Sequence, residues 1–254
     1  MRWVLKMLKQ RIITAIVLAL TFIIVTILFS PFVFSLFIAL IVLIAAWEWA
    51  GLIGLSQQSS KVSYLATLAV MTIALFPFLG IYPEAKMISS DRTLILLGLG
   101  VLFWALAFLM LFGYPQNAAW WNDKSKIAVM GLMTLLPAWV GIIQLKYLDP
   151  MGYLVLALVV MVAAADIGAY LAGKKFGRRK LAPALSPNKS WEGVWGSLVT
   201  CLLLGLLLIA LMNNYVLELS SQKILVLMVL SLCVTLFDVI GDLLESMLKR
   251  NQNI

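Results

Sequence analysis

The chain has 254 residues, of which 63% are hydrophobic and 12% charged, with a mean hydropathy of +1.05 and a formal net charge of +8. A water-soluble domain is about 45–50% apolar and about 25% charged, and disordered chains are poor in apolar residues, so both classes are excluded. At roughly 20 residues per span, the composition fits an all-α polytopic transmembrane bundle of about eight spans, with no room for a large soluble domain.

Hydropathy predicts spans over Ile12–Phe29, Phe32–Ile53, Val62–Leu79, Thr93–Phe112, Ile127–Leu145, Met151–Ala172, Val194–Leu211 and Ile224–Leu248. Ser30-Pro31 marks a short turn between the first two. The first apolar run is long for a signal peptide and lacks a clear small-x-small cleavage site, so it reads as a retained span. With the N-terminus in the cytoplasm, the cytoplasmic segments hold fifteen of the 19 Lys and Arg residues, and the opposite side holds Lys86, Arg92, Lys146 and Lys223. That bias predicts an even number of spans with both termini cytoplasmic. It also accounts for the basic balance through anionic lipid headgroups, without nucleic acid as a partner. The chain reads as one integral membrane domain, 1–254, with N-terminal spans in 1–145 and the chemistry-bearing spans in 146–254.

There is no histidine, which excludes Ser-His-Asp and Cys-His nucleophiles and the common zinc sites. Cys201 and Cys233 each lie in an apolar run and read as small packed side chains rather than a disulfide framework. Catalysis must rest on carboxylates, Lys or Arg, hydroxyls, backbone or a metal.

Ionisable groups inside spans are costly and mark function. Glu48, Asp166, Asp238, Asp242 and Glu245 qualify. Asp238, Asp242 and Glu245 are spaced to share one helix face, and Asp166 comes from another span at a similar depth. Two helices therefore aim carboxylates at one cytoplasm-facing pocket. A hard divalent cation such as Mg²⁺ would relieve their repulsion. Glu48 stands between Trp47 and Trp49, which read as interface anchors, and it is left out of the site.

The stretch between the sixth and seventh spans is the most unusual. Lys174, Lys175, Arg178, Arg179 and Lys180 put five positive charges just inside the membrane. Ser186-Pro187-Asn188-Lys189-Ser190 is a polar turn feeding into Trp191-Glu192-Gly193. The Ser190 hydroxyl is placed to cap the next helix, whose N-terminus would attract an anion. Such a turn suits phosphate oxygens.

These residues resemble the bacterial phosphatidate cytidylyltransferase (CDP-diacylglycerol synthase) family. The shared pattern from Asp166 to Gly193 is A-D-x-G-A-Y, G-K-x-F-G, K-L-A-P and S-P-x-K-[ST]-W-E-G. Gly241–Arg250 is similar to the start of the family's C-terminal signature, and Ala45-Ala46-Trp47-Glu48-Trp49 is similar too. The pattern departs after Arg250. Asn251-Gln252-Asn253-Ile254 fills the variable positions, and the Lys-Asp pair, the His-Gly-Gly turn, the Asp-Arg-x-Asp carboxylates and the last span are missing. On that ground the chain is expected to be C-terminally truncated and impaired.

The resemblance implies transfer of CMP from CTP to phosphatidic acid, giving CDP-diacylglycerol and pyrophosphate, in a multi-pass protein of the bacterial inner membrane with its active site facing the cytoplasm. It implies Asp242, Asp166 and Lys189 as catalytic residues. Asp242, Asp166 and Asp238 would ligate Mg²⁺, with room for a second metal ion. Ser186, Asn188, Lys189, Ser190, Glu192, Ser246, Lys249 and Arg250 would bind substrate. Membrane lipids and a homodimer are the further partners implied. Two other readings are an ion-coupled transporter, which would place acids near the midplane with inverted repeats, and a non-catalytic remnant. Another membrane phosphotransferase, such as a polyprenyl-phosphate sugar transferase, is disfavoured by the lack of a paired Asp-Asp motif.

Overall fold

The computed structural model describes residues 2–215 and 220–252, and the side chains of residues 9–214 and 220–252. Asn253 and Ile254, the last of the variable positions, lie outside the described residues. The elements run α1 (Arg2–Leu28), α2 (Pro31–Leu52), α3 (Gln58–Leu79), α4 (Ser90–Phe112), α5 (Ala118–Trp121), α6 (Lys124–Leu148) and α7 (Tyr153–Phe176). Then come β1 (Lys180–Ala182), β2 (Ser186–Ser190), α8 (Trp191–Tyr215) and α9 (Ser221–Asn251). Among the described residues, eight helices are long and apolar enough to cross a membrane, so the expected all-α polytopic bundle is present.

Several helices outrun the predicted apolar stretches, and polar residues support their ends in α2, α6, α7 and α9. Asp123 accepts from the N–H groups of Ser125 and Lys126 and starts α6. Ser30 starts α2 with Pro31 at its first position, where the missing N–H costs nothing. Lys174 and Lys175 extend the last turn of α7, and Lys249 and Arg250 that of α9, where cations offset the helix dipole.

The main buried core lies among α2, α3 and α6 and reaches Leu243, Leu244, Met247 and Leu248 at the end of α9. A second packing unit is formed by α7, α8 and α9, with α7 and α8 in the most extensive contact. Small residues permit it. A Cβ on Gly168 would stand 2.8 Å from Gly196 O and 2.4 Å from Thr200 Oγ1. Close backbone approach through small residues is how helices associate where lipid supplies no hydrophobic drive.

Three expectations change. The polar stretch after α7 is not a simple turn: β1 and β2 form an antiparallel hairpin, Lys180 opposite Ser190 and Ala182 opposite Ser186. The ladder is irregular between those pairs, and Pro187, which has no N–H to donate, falls in that stretch. Lys146, expected among the charges outside the membrane, is fully buried. Its ammonium donates to Thr26 O and Pro150 O and sits 5.9 Å from the Phe34 ring centre. It caps the end of α1, where helix carbonyls have no intrahelical partner. Trp49, expected as an interface anchor, donates from Nε1 to Ile127 O at 2.9 Å and joins α2 to α6, whereas Glu48 is exposed.

Candidate active site

A cavity of about 310 Å³ lies where α7, the hairpin, α8 and α9 meet. Asp166 and Tyr170 enter from α7, and Asp238 and Asp242 from α9. Strand β2 contributes Ser186, Asn188, Lys189 and Ser190. The walls at Gly173 and Gly193 are bare backbone, so α7 and α8 come close enough for the hairpin to fold across their ends.

Helical spacing places Asp238 and Asp242 on one face of α9. Asp166 reaches the same cavity from a residue distant in sequence, and Asp238 lies within electrostatic range of Asp166, Asp242 and Lys189. Lys189 crosses the cavity and forms an ion pair with Asp242. Both partners keep solvent contact, with side chains 25% and 49% exposed. The site therefore joins a partly exposed cation to a row of acids, with hydroxyl and amide groups beside them.

Several residues expected to bind substrate have other partners. Ser190 is buried, and its Oγ accepts from Gly193 N–H at 3.2 Å, so the expected helix cap is present. Glu192 does not line the cavity. Its carboxylate accepts from the backbone N–H groups of Arg178 and Arg179 at 3.1–3.2 Å. This places a negative charge at the α8 N-terminus, which had been expected to attract an anion. Arg250 donates from Nε to Leu185 O at 2.5 Å and holds the hairpin turn. Lys249 pairs with Glu245 across one turn of α9, outside the cavity lining, with both side chains about half exposed. Ser246 is half-buried beside them and does not line the cavity. Tyr170, Leu181 and Gly193 also line the cavity, although the sequence marks none of them as a site residue. Their only sequence signal is membership in the shared motifs.

Among the described residues no three Asp, Glu, Cys or His side chains stand close enough together to hold a metal ion as a cage. Mg²⁺ does not require one. It binds through one or two carboxylates and fills its remaining positions with water and substrate phosphates. The hard oxygens of Asp166, Asp238 and Asp242 on one cavity suit that mode.

The model of the cytidylyltransferase family matches residues 9–254. A phosphatidate cytidylyltransferase of Pseudomonas aeruginosa is 41% identical over 98% of this chain and 86% of its own length. One from Haemophilus influenzae is 35% identical over 98% of this chain and 88% of its own length. A Bacillus subtilis protein of the same name is 36% identical over 49% of this chain and 46% of its own. With eight helices able to span a membrane among the described residues, this chain belongs to the cytidylyltransferase family and is a multi-pass membrane nucleotidyltransferase.

Proposed function

We propose that the protein transfers CMP from CTP to phosphatidic acid, releasing pyrophosphate and forming CDP-diacylglycerol for phospholipid synthesis. The observation that carries this reading is the cavity in which Lys189 of the hairpin faces Asp242, with Asp166 and Asp238 beside them. A cation beside carboxylates can bind and align phosphate groups, directly and through a metal ion.

A phosphatidate oxygen attacks the α-phosphorus of CTP, the new P–O bond forms, and the bond to the β-phosphate oxygen breaks with pyrophosphate leaving. Lys189 binds phosphate oxygens as it is drawn from Asp242, and its charge offsets the charge that builds up on the leaving pyrophosphate. Asn188 and Ser186 add neutral hydrogen bonds that orient the triphosphate. Asp242 and Asp166 would hold Mg²⁺ through one carboxylate each, with Asp238 beside them on the same cavity. When bound, the metal neutralises phosphate charge and aligns the reacting groups.

The concentration of Lys and Arg on the side bearing the hairpin supports a cytoplasm-facing site in the bacterial inner membrane with both termini inside. CTP then arrives from the cytosol and phosphatidic acid from the adjoining leaflet.

The test is radiolabelled CTP with phosphatidate and Mg²⁺, added to the purified full-length protein in detergent. Labelled CDP-diacylglycerol is expected, with product lost in Asp242→Asn and on chelation of Mg²⁺. No lipid-linked label from the unaltered protein would overturn the activity. Near-normal turnover by Asp242→Asn would remove that residue from the site.

A further inference from the structure

The hairpin that carries Lys189 has only one side chain paired with the acids, and its placement depends on what fixes its two ends. At the turn, Arg250 donates to Leu185 O, and the Leu185 side chain is buried in the core. At the open end the ties converge on the first turn of α8. Glu192 accepts from the N–H groups of Arg178 and Arg179, and Trp191 N–H donates to Arg179 O at 2.9 Å. Residues 178 and 179 lead directly into β1, and Lys180 pairs with Ser190, the neighbour of Lys189.

We infer that Glu192 is a positioning residue: its carboxylate clamps the 178–179 backbone so that the hairpin presents Lys189 to the cavity. This rests on the phosphate role of Lys189 proposed above. A carboxylate is the side chain suited to the task. It offers two acceptor oxygens to amide donors, and the charge roughly doubles the strength of each bond. Those donors would otherwise be left in a segment of five cations, Lys174, Lys175, Arg178, Arg179 and Lys180, whose repulsion favours splaying the strand start. Glu192 does not act on substrate itself, since it lies outside the cavity lining and its oxygens face the 178–179 backbone.

The test is a double-mutant cycle. Glu192→Gln keeps the shape but offers one acceptor oxygen and turns an NH₂ group toward the amides. Its KM for CTP is expected to rise about tenfold, with kcat changed much less. In a Lys189→Ala background the same substitution should add almost nothing, because the residue it acts through is gone. Glu192→Asp, one methylene short of the amides, should give the same pattern and takes the place of Glu192→Gln if that variant does not fold. In both variants, trypsin should cleave the folded protein faster at Arg178, Arg179 or Lys180.

Additive effects of Glu192→Gln and Lys189→Ala on KM, with Lys189→Ala itself impaired, would overturn this inference and leave the proposed function standing. An unchanged KM for CTP in Lys189→Ala would remove the phosphate role and the inference with it. Unchanged trypsin cleavage, or failure of both Glu192 variants to fold, would also overturn it.

Discussion

Replacing Lys189 by methionine separates a catalytic role for the Lys189–Asp242 pair from a structural one. The substitution keeps an unbranched side chain, one atom shorter, and removes its charge. In the folded protein the two side chains are 25% and 49% exposed. Solvent therefore screens the pair, and Asp242 regains water when its partner is lost. An ion pair of this exposure contributes about 0.2–1 kcal/mol, which shifts the thermal midpoint by roughly 4 °C at most. A cation on a phosphate whose charge grows during transfer contributes more, about 3 kcal/mol, and its loss lowers kcat/KM about a hundredfold. The assay is thermal unfolding in detergent beside steady-state cytidylyl transfer. Glu245→Gln is the control. It removes the Lys249–Glu245 pair, whose side chains are 50% and 52% exposed, and it should leave the midpoint within the same few degrees. The reasoning fails if Lys189→Met retains the apparent binding constants of both substrates. It also fails if activity falls only in proportion to the folded fraction.

Two further outcomes test the frame around the site. Gly168→Ala brings a Cβ within 2.8 Å of Gly196 O, where backbone cannot yield cheaply. It should cost about 1–3 kcal/mol and lower the thermal midpoint, and an unchanged midpoint would show that α7 and α8 pack less closely. Single cysteines at positions 178 and 84, in a background with Cys201 and Cys233 replaced by alanine, report orientation. A membrane-impermeant maleimide should label position 178 only from the cytoplasmic side and position 84 only from the other. The opposite pattern would reverse the proposed orientation, and labelling of both from one side would break the alternation of spans.

The spans were legible because hydropathy averages over about 20 residues, so errors at single positions cancel. Asp166, Asp238 and Asp242 were legible for an energetic reason: a carboxylate in an apolar helix is too costly to be incidental. The structure brings all three to one cavity with Lys189. The hairpin was not legible. Strands of three and five residues are too short to show a period of two. Lys146 was placed by its position beyond an apolar run, but a long side chain lets its ammonium fold back onto Thr26 O and Pro150 O.

The sequence by itself determined the solvent of this protein, the number and order of its spans, and the family it belongs to. These depend on composition and on linear motifs, which need no knowledge of neighbours. Tertiary structure alone decided which polar residues face the cavity and which support it. Glu192 and Arg250 belong to the same motifs as Lys189 and Asp242, yet their partners are backbone groups at Arg178, Arg179 and Leu185. Every residue carries such groups, so nothing in the sequence marks the ones that will be used. Only the folding of the hairpin across the ends of α7, α8 and α9 brings these partners within reach.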